Sequence, residues 1–489
     1  MITAAIGKIF LDAYNEKYGT NYDAKTFFVE VYHPLFFGSN KYLQWVTNSP
    51  FVQGLESSKT GEYCFKDIIK DEKGKTRTFS SKKELDKFVE DNYSKRKKEI
   101  VEIQSSNLKQ VKILWKLNTL QAKRMLDAFV SKVNEKNVPD ASIAPGYPAS
   151  EEENFAATSC QVTNINIMTS KDEVYLSWLG ASLGIGLQKG ISILFTEPEI
   201  LMNLFDGWNL YRTVLNENDS LKGNQVNTWN GRWLAHRYDG NFNPAQPMAD
   251  ISPFEATKDG MSVAIQSWTK VLIGIALHYD RPKMMGYVYS LGKTNTTIGF
   301  IPFNLEHIRK PIQLYAQLFG AEEGRKAEEL WGTGIGFKVC CQKGIIGIEA
   351  MRPKDLEYYM IADKGKDIIL PKYDEEQIIN FHTYQIWLLA MLNNQEMWDK
   401  SHSFAKALHD IVTQDKSIST QRKNIVKSVL SSTTKKNFMS SLENLVPISD
   451  SIGCIEEIAG IVNLMPSDNV PYFLTLVRLH YAFIEKINS

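Results

Sequence analysis

Five polar residues between two strand-like segments are the first candidates for chemistry in this 489-residue sequence. They are Lys293, Thr294, Asn295, Thr296 and Thr297. Their ammonium, amide and hydroxyl groups can bind phosphates or base edges, and none is a strong nucleophile or metal ligand by itself. Aromatic and β-branched residues in 287–289 and 298–303 predict the two arms of a hairpin that holds this tip. An ordinary polar loop is the alternative interpretation.

The segment 227–237 is the second candidate because it interleaves two tryptophans with two arginines. Aromatic rings can stack on bases, and guanidinium groups can bind phosphates. The candidate nucleic-acid contacts in this segment are Asn230, Arg232 and Arg237. Trp229 and Trp233 are four residues apart, and aromatic residues at helical spacing usually lie in a core. We favour that interpretation for both tryptophans.

A third candidate is the run from Lys416 to Lys436, which contains six Lys or Arg residues and no acidic residue. Cationic side chains on a helical surface can hold a nucleic-acid backbone through the release of counterions. The candidate backbone contacts are Lys423, Lys427, Lys435 and Lys436. A stripe of solvated charges without a ligand is the alternative interpretation.

Motifs typical of nucleotide binding are incomplete in this sequence. Residues 292–294 resemble the end of a P-loop, but Tyr287 occupies the position of its leading glycine. The glycine-rich segment 184–190 is one residue too long for a dinucleotide fingerprint, so we expect Gly180 and Gly184 to allow close packing instead. We therefore expect no catalytic residue, no metal and no cofactor, and we expect that the protein is not an enzyme.

The elements that must position these residues predict an α+β fold. Short strands, hairpins and helices alternate through residues 1–373, which we predict form a mixed α/β body. Apolar residues at helical spacing dominate 374–489 and predict an all-α bundle of about five or six helices. Prolines, a glycine and three glutamates give residues 138–153 the clearest linker-like composition.

Three segments of the body carry more specific expectations. The aromatic and β-branched run 27–37 predicts a strand, and residues 113–134 predict one long amphipathic helix. Glycine-bearing segments at 332–337 and 343–348 flank a short Val-Cys-Cys sequence and predict a further hairpin.

Charge, cysteine usage and hydropathy narrow the class of protein. Residues 59–136 carry 20 Lys/Arg against 12 Asp/Glu, whereas residues 140–259 carry 7 against 15. This asymmetry predicts one polyanion-facing part, with chance unevenness as the alternative. Five scattered cysteines without a Cys-x-x-Cys pair fit a reducing cytoplasm. Gln188 and Lys189 interrupt the most apolar window, so we expect no membrane span.

The order of these features resembles that of a known family. A mixed α/β body, the polar hairpin around 290–297, a helical bundle with a basic stripe and a closing helix at 466–484 together resemble the large subunit of a type I CRISPR surveillance complex (Cascade). The resemblance implies a subunit that reads the protospacer-adjacent motif on duplex DNA, with residues 293–297 as the motif readers. It also implies partners in antiviral defence: guide RNA, double-stranded target DNA and its displaced single strand, CRISPR backbone subunits and a recruited helicase–nuclease effector.

Two other classes of function stay open. An unrelated nucleic-acid-binding defence protein would bind DNA without guide RNA or partner subunits. An enzyme with an unrecognised active site in the Gly-rich middle region would turn over a substrate in a pocket with perturbed carboxylates.

Overall fold

The chain folds into an N-terminal half with antiparallel sheets and a mostly helical C-terminal region, which confirms the predicted α+β class. The computed structural model describes residues 1–46, 48–135, 142–147, 169–290, 296–332, 336–360, 375–414 and 419–487. The chain divides into two compact units. Unit 1 comprises Met1–Ser267 and Met285–Phe300, and unit 2 comprises Trp268–Met284 and Ile301–Ser489. This division does not coincide with the predicted boundary between residues 373 and 374.

The elements that belong to unit 1 are both helical and extended. Its helices are α1 (Ile2–Tyr18), α2 (Ala24–Phe27), α3 (His33–Phe37), α4 (Lys82–Tyr93), α5 (Thr119–Glu135), α6 (Lys171–Ser182), α7 (Pro198–Glu217) and α8 (Val226–Arg237). Its strands are β1 (Glu56–Ser57), β2 (Tyr63–Ile68), β3 (Ile100–Ser106), β4 (Lys109–Lys116), β5 (Ile185–Leu187), β6 (Ile191–Phe195), β7 (Phe254–Thr257) and β8 (Gly260–Val263). Two further strands cross the boundary between the units, β9 (Lys283–Ser290) and β10 (Thr296–Asn304).

Unit 2 is mostly helical among its described residues. Its helices are α9 (Trp268–His278), α10 (Leu305–Phe319), α11 (Ala321–Leu330), α12 (Phe337–Gln342), α13 (Leu356–Met360), α14 (Glu375–Leu392), α15 (Met397–Thr413), α16 (Ser419–Leu430), α17 (Lys435–Glu443), α18 (Ile452–Leu464) and α19 (Val470–Ile487). Six of them, α14 to α19, follow residue 374 and agree with the predicted number of bundle helices.

Residues 27–37, predicted as a strand, are helical. The chain passes from α2 through a π-helical turn at Phe28–Tyr32 into α3. Phe28, Tyr32 and Phe36 recur at every fourth residue and are fully buried. Tyr32 stacks on Phe36 with ring centroids 4.1 Å apart. Burial of one helical face at this spacing outweighs the strand preference of single aromatic and β-branched residues.

The long helix predicted over residues 113–134 is wrong in its first part. Ile113–Trp115 are buried in β4, which pairs with β2 on one side and with β3 on the other. The helix α5 begins only at Thr119. Over a few residues, apolar side chains of a central strand can have the same spacing as the apolar face of a helix. The two periods can be distinguished only over a longer segment.

The hairpin predicted within residues 332–348 is also wrong. Its Val-Cys-Cys sequence lies in α12, where Phe337, Cys340 and Cys341 are buried at helical spacing. A 3₁₀ turn at Ile348–Met351 follows. Burial of three side chains on one helical face decides the local structure here.

A four-stranded antiparallel sheet with strand order β1-β2-β4-β3 forms a small subdomain together with α4. Ser106 pairs with Lys109, so Asn107 and Leu108 form a two-residue turn, with φ angles of 50° and 57°. Positive φ at both central residues is the turn geometry that matches the twist of a hairpin. The core of the subdomain contains Ile69, Phe79, Leu85, Val89, Val111, Ile113 and Trp115.

A second antiparallel sheet has the strand order β10-β9-β6-β5 and contains both arms of the predicted hairpin. β6 pairs with β9 from Ile191 opposite Ser290 to Phe195 opposite Gly286. β5 and β6 are buried along their whole length, so the hairpin extends from an internal part of unit 1. The predicted arms at 287–289 and 298–303 are confirmed as strands, and both strands extend beyond the predicted bounds.

Two glycines predicted to allow close packing do so. A Cβ atom at Gly180 would overlap the carbonyl oxygen of Thr3, where α6 crosses α1. A Cβ atom at Gly184 would overlap the hydroxyl group of Tyr289 on β9. Glycine is therefore needed at Gly180 for the close approach of two backbones and at Gly184 for the close approach of side chains.

Candidate nucleic-acid interface

The two tryptophans of α8 belong to the interior of unit 1, as predicted. Trp229 and Trp233 are buried, and their rings are nearly parallel at a centroid separation of 6.3 Å. The indole N–H of Trp229 donates to the carbonyl of Gly207 at 2.9 Å. That of Trp233 donates to the carbonyl of Asn203 at 2.7 Å. Both rings therefore stabilise the contact between α7 and α8 and are not available to stack on bases.

Asn230, predicted as a nucleic-acid contact, is buried between these helices and β5 with 0% of its surface exposed. Its Oδ1 accepts a hydrogen bond from the indole N–H of Trp208 at 2.9 Å. Its Nδ2 donates to the carbonyls of Ser182 at 2.7 Å and Gly184 at 2.9 Å. The amide oxygen and the amide nitrogen both have hydrogen-bond partners inside the protein, so Asn230 is no longer a candidate nucleic-acid contact.

The two arginines of α8 differ in how their guanidinium groups are held. Arg232 donates to Oε1 of Gln266 at 2.9 Å and to the carbonyl of Ser252 at 2.8 Å. The guanidinium of Arg237 lies over the ring of Phe242, 4.5 Å from its centroid. Both side chains are partly exposed. Arg232 is tethered by two specific bonds, which leaves Arg237 as the better candidate for a phosphate contact.

The basic stripe of the C-terminal helices contains two kinds of lysine. Lys435 donates through Nζ to the carbonyls of Asn463 and Met465, at the C-terminal end of α18. An ammonium group at this end satisfies carbonyls that have no partner within the helix and complements its dipole. Lys435 therefore has a structural role that its position in the sequence does not reveal.

The other three lysines of the stripe are solvent-exposed. They are Lys423, Lys427 and Lys436. Lys423 and Lys427 are one helical turn apart and share a face of α16. α17 packs against α16, with the hydroxyls of Ser428 and Ser441 3.4 Å apart. Within the described part of the chain none of the three lysines forms an ion pair, so their charges face solvent.

A second exposed surface rich in lysine lies on the small subdomain, where exposed Asp86 and Asp91 also occur, and it contains residues that sequence reasoning had not named as candidate contacts. Its exposed lysines are Lys82, Lys83, Lys87, Lys95 and Lys98. Two of the neighbouring cations are neutralised locally, because Lys97 pairs with Glu90 and Arg96 pairs with Glu99, both at 2.8 Å. The hydrogen bond with Glu90 raises the pKa of Lys97. The excess of basic residues over 59–136 was the signal that pointed to this surface.

The polar tip of the central hairpin is described only in part. Lys293, Thr294 and Asn295 lie outside the described residues, and so does the side chain of Thr296, with which β10 begins. Thr297 is exposed, and its Oγ1 is 3.2 Å from the hydroxyl oxygen of Tyr287.

The Gly-rich middle region is where the alternative interpretation, an enzyme, expects an active site. In the described part of this region the glycines are in close contact with neighbouring elements. A Cβ atom at Gly186 would lie 2.8 Å from the backbone of Asn227 on α8. The perturbed carboxylates of the described chain include Asp23, Glu56 and Glu84, whose pKa values are lowered by hydrogen bonds with Thr26, Lys112 and Ser80, respectively. These contacts are a helix cap, an ion pair and a turn. In the described ranges no cluster of three or more His, Cys, Asp or Glu residues has a metal-binding arrangement.

Comparisons with protein-family models, with curated proteins and with solved structures found no match. None of the helices within the described residues combines the length and the apolar character needed to span a lipid bilayer.

Proposed function

We propose that this chain is the large subunit of a type I CRISPR RNA-guided surveillance complex. In this role it binds guide RNA, backbone subunits, duplex target DNA and the displaced single strand. It reads the protospacer-adjacent motif and licenses recruitment of a helicase–nuclease effector in antiviral defence, in the cytoplasm. It performs no catalysis itself and needs no cofactor.

The observation that carries the proposal is the exposed cationic surface of α16 and α17, formed by Lys423, Lys427 and Lys436. It lies in the helical region that follows an α+β part with a central hairpin, the order of elements on which the resemblance rests. Lysines on a helical face bind a phosphate backbone without reading its sequence. Such a surface suits a displaced single strand, whose sequence differs at every target.

The division of labour in such a complex explains why few side chains need to read bases. Guide RNA pairs with the target strand and supplies the sequence specificity, and the protein reads only a short duplex motif. Amide and hydroxyl groups at a hairpin tip can reach base edges in a groove, while an ammonium group adds affinity that does not depend on sequence. We assign motif reading to residues 293–297 on this basis.

Assembly is the first test of the proposal. The chain is co-expressed with the other subunits encoded beside it and with a guide RNA, and the complex is purified through a tag on another subunit. We expect this chain to co-purify with the guide RNA. Purification of a guide-bound complex that lacks this chain would refute the proposal.

The cationic surface is tested by charge reversal of Lys423, Lys427 and Lys436 to Glu in the assembled complex. Lys435 is left unchanged because it caps α18. We expect weaker binding of target DNA and a log–log salt slope that is less steep by roughly 2–3, since each lost phosphate contact lowers it by about 0.7–0.9.

The matched control reverses three other exposed lysines of unit 2, Lys338, Lys343 and Lys406, and changes the net charge by the same amount. We expect its salt slope to stay near that of the unsubstituted complex. An equal change in both variants would show a general charge effect, and no change in either would show that the surface is only solvated.

Motif reading is tested with Asn295→Ala and Lys293→Ala on DNA with the preferred motif and with a wrong motif. Loss of a base-edge contact by Asn295→Ala should cost about 1–3 kcal/mol on the preferred motif and less on the wrong one. Lys293→Ala should weaken both complexes alike, since a phosphate contact carries no sequence information. Equal losses on both DNAs for Asn295→Ala would contradict its role as a reader.

A further inference from the structure

A group of exposed and partly exposed apolar side chains lies on the hairpin formed by β9 and β10, within unit 1. It comprises Met285 and Tyr287 on β9 and Phe300 on β10, and we call it the aromatic platform. Phe300 is 60% exposed and Met285 is 49% exposed. The rings of Tyr287 and Phe300 are in contact, with centroids 5.2 Å apart and planes at 58°. Large apolar side chains that cluster at a surface mark a site of interaction more often than single exposed ones do.

The sheet holds this platform in place. Successive residues of a strand point to opposite faces, and the β9 residues that alternate with the platform, Gly286 and Val288, are buried. β9 is hydrogen-bonded to β6 on one side and to β10 on the other. Tyr287 is opposite Leu194, a buried residue of the internal strand β6. A ligand that stacks on the rings therefore meets a preorganised surface, so little entropy is lost on binding.

The polar groups beside the rings suit a nucleobase better than an apolar protein segment. The hydroxyl groups of Tyr287 and Thr297 lie 3.2 Å apart at the edge of the platform, where they can donate to or accept from a base edge. A planar base can stack its face on an aromatic ring while its polar edge forms hydrogen bonds with such hydroxyl groups. An aliphatic side chain would cover the ring and make no hydrogen bond with the two hydroxyl groups.

A cation at one end of the same sheet complements a nucleic-acid backbone. Lys189 lies in the turn between β5 and β6, two residues before Ile191, which pairs with Ser290 of β9. Its side chain is exposed, and its backbone has φ 64°, a conformation that is uncommon for residues other than glycine. Lys189 thus lies at the end of the sheet where β9 leads into residues 291–295.

Strand addition by a peptide is disfavoured at β10. Gly299 and Pro302 lie within this strand, and proline has no N–H group to donate to a further strand. The platform therefore favours a ligand that stacks on its rings rather than a peptide that extends the sheet.

We propose that the aromatic platform stacks on unpaired bases of a single-stranded nucleic acid, with Lys189 contacting its backbone. This proposal deepens the proposed function, on which it rests, by assigning a second nucleic-acid contact outside the lysines of α16 and α17. Phe300 and Tyr287 are the stacking residues, and the hydroxyl of Thr297 contacts a base edge.

The test measures binding of the purified full-length chain to fluorescein-labelled oligonucleotides by anisotropy at one fixed salt concentration. The probes are oligo-dT and oligo-U of about 12 nucleotides, within the range of single-strand sites, and an abasic strand of the same length. Phe300→Leu and Tyr287→Leu keep an apolar side chain and remove the aromatic ring. Ile265→Leu, at a residue that is 54% exposed in the same unit, is the matched control.

We expect each ring-removing variant to bind the base-bearing strands roughly 5- to 100-fold more weakly, because stacking on one aromatic residue contributes to affinity on that scale. Binding of the abasic strand should not change, and Ile265→Leu should bind all strands like the unsubstituted chain. Circular dichroism and the melting temperature verify that each variant is folded. A difference between oligo-dT and oligo-U identifies whether DNA or RNA is the preferred ligand.

Three results would overturn the proposal. One is equal affinity of the unsubstituted chain for base-bearing and abasic strands, including the absence of binding to both. Another is an equal loss on both kinds of strand in Phe300→Leu. The third is full affinity in both leucine variants, which would mean that the surface needs apolar area without π stacking. Each result leaves the assembly test unaffected, so failure of the platform and failure of the proposed function are distinguishable.

Discussion

Replacement of Asn230 by alanine separates a structural role from a binding role. The amide makes three hydrogen bonds in the interior of unit 1, one accepted from Trp208 and two donated to the carbonyls of Ser182 and Gly184. After Asn230→Ala the buried indole N–H has no acceptor, and a buried donor without a partner costs about 1–3 kcal/mol. The carbonyl of Gly184 keeps a second donor, Nδ2 of Asn227 at 2.9 Å. We therefore expect a total loss of stability of about 2–4 kcal/mol.

Two variants of the same helix calibrate this expectation. Asn230→Asp keeps the acceptor for Trp208 but buries a carboxylate against two carbonyl oxygens, so it should destabilise more than alanine does. Asn227→Ala also removes hydrogen bonds to main-chain carbonyls, but this residue is partly exposed and water can replace its amide. We expect a loss of under about 1 kcal/mol for Asn227→Ala.

Thermal unfolding followed by tryptophan fluorescence measures these effects. At about 2 °C per kcal/mol, Asn230→Ala should lower the melting temperature of unit 1 by roughly 4–8 °C. Nucleic-acid affinity, measured well below that temperature, should be unchanged. An unchanged melting temperature together with lost affinity would refute the interior role and restore Asn230 as a contact residue.

Three further predictions concern stability. Gly180→Ala should destabilise unit 1 by more than about 2 kcal/mol, because the new Cβ atom would overlap the backbone of Thr3. Gly460→Ala should stabilise by roughly 0.5–1 kcal/mol, because a Cβ atom at this position of α18 meets open space. Thermal unfolding compares the two variants. In the same assay Lys435→Glu should lower the melting temperature and Lys436→Glu should not, since only Lys435 caps α18. Burial lowers the pKa of His480 from 6.5 to about 3. As pH falls, the unfolded chain therefore binds a proton at this residue before the folded chain does. The contribution of neutral His480 to the free energy of unfolding is fully present above pH 6.5, and about 2 kcal/mol of it is lost by pH 5. Urea titrations should therefore show a weaker pH dependence of stability in His480→Gln.

The secondary structure could be predicted where a pattern is long or is bounded by turn residues. Helices α14 and α15 and those after them follow from apolar residues repeated at helical spacing over several turns. The hairpin of β9 and β10 follows from two β-rich arms around a polar tip. Shorter aromatic or apolar runs, such as 27–37, fit strands and helices equally well, and only the burial of Phe28, Tyr32 and Phe36 on one face decides for a helix.

The candidate site was less predictable, because the sequence gives the type of a side chain but not its partners. The sequence alone determined where amides, lysines and arginines occur and that Trp229 and Trp233 share a helical face. Only the tertiary structure decided that Asn230 is buried against Trp208 and that Lys435 binds the end of α18, while its neighbour Lys436 faces solvent. The physical reason is that hydrogen-bond partners and solvent exposure depend on contacts between residues far apart in the chain, which local spacing does not specify.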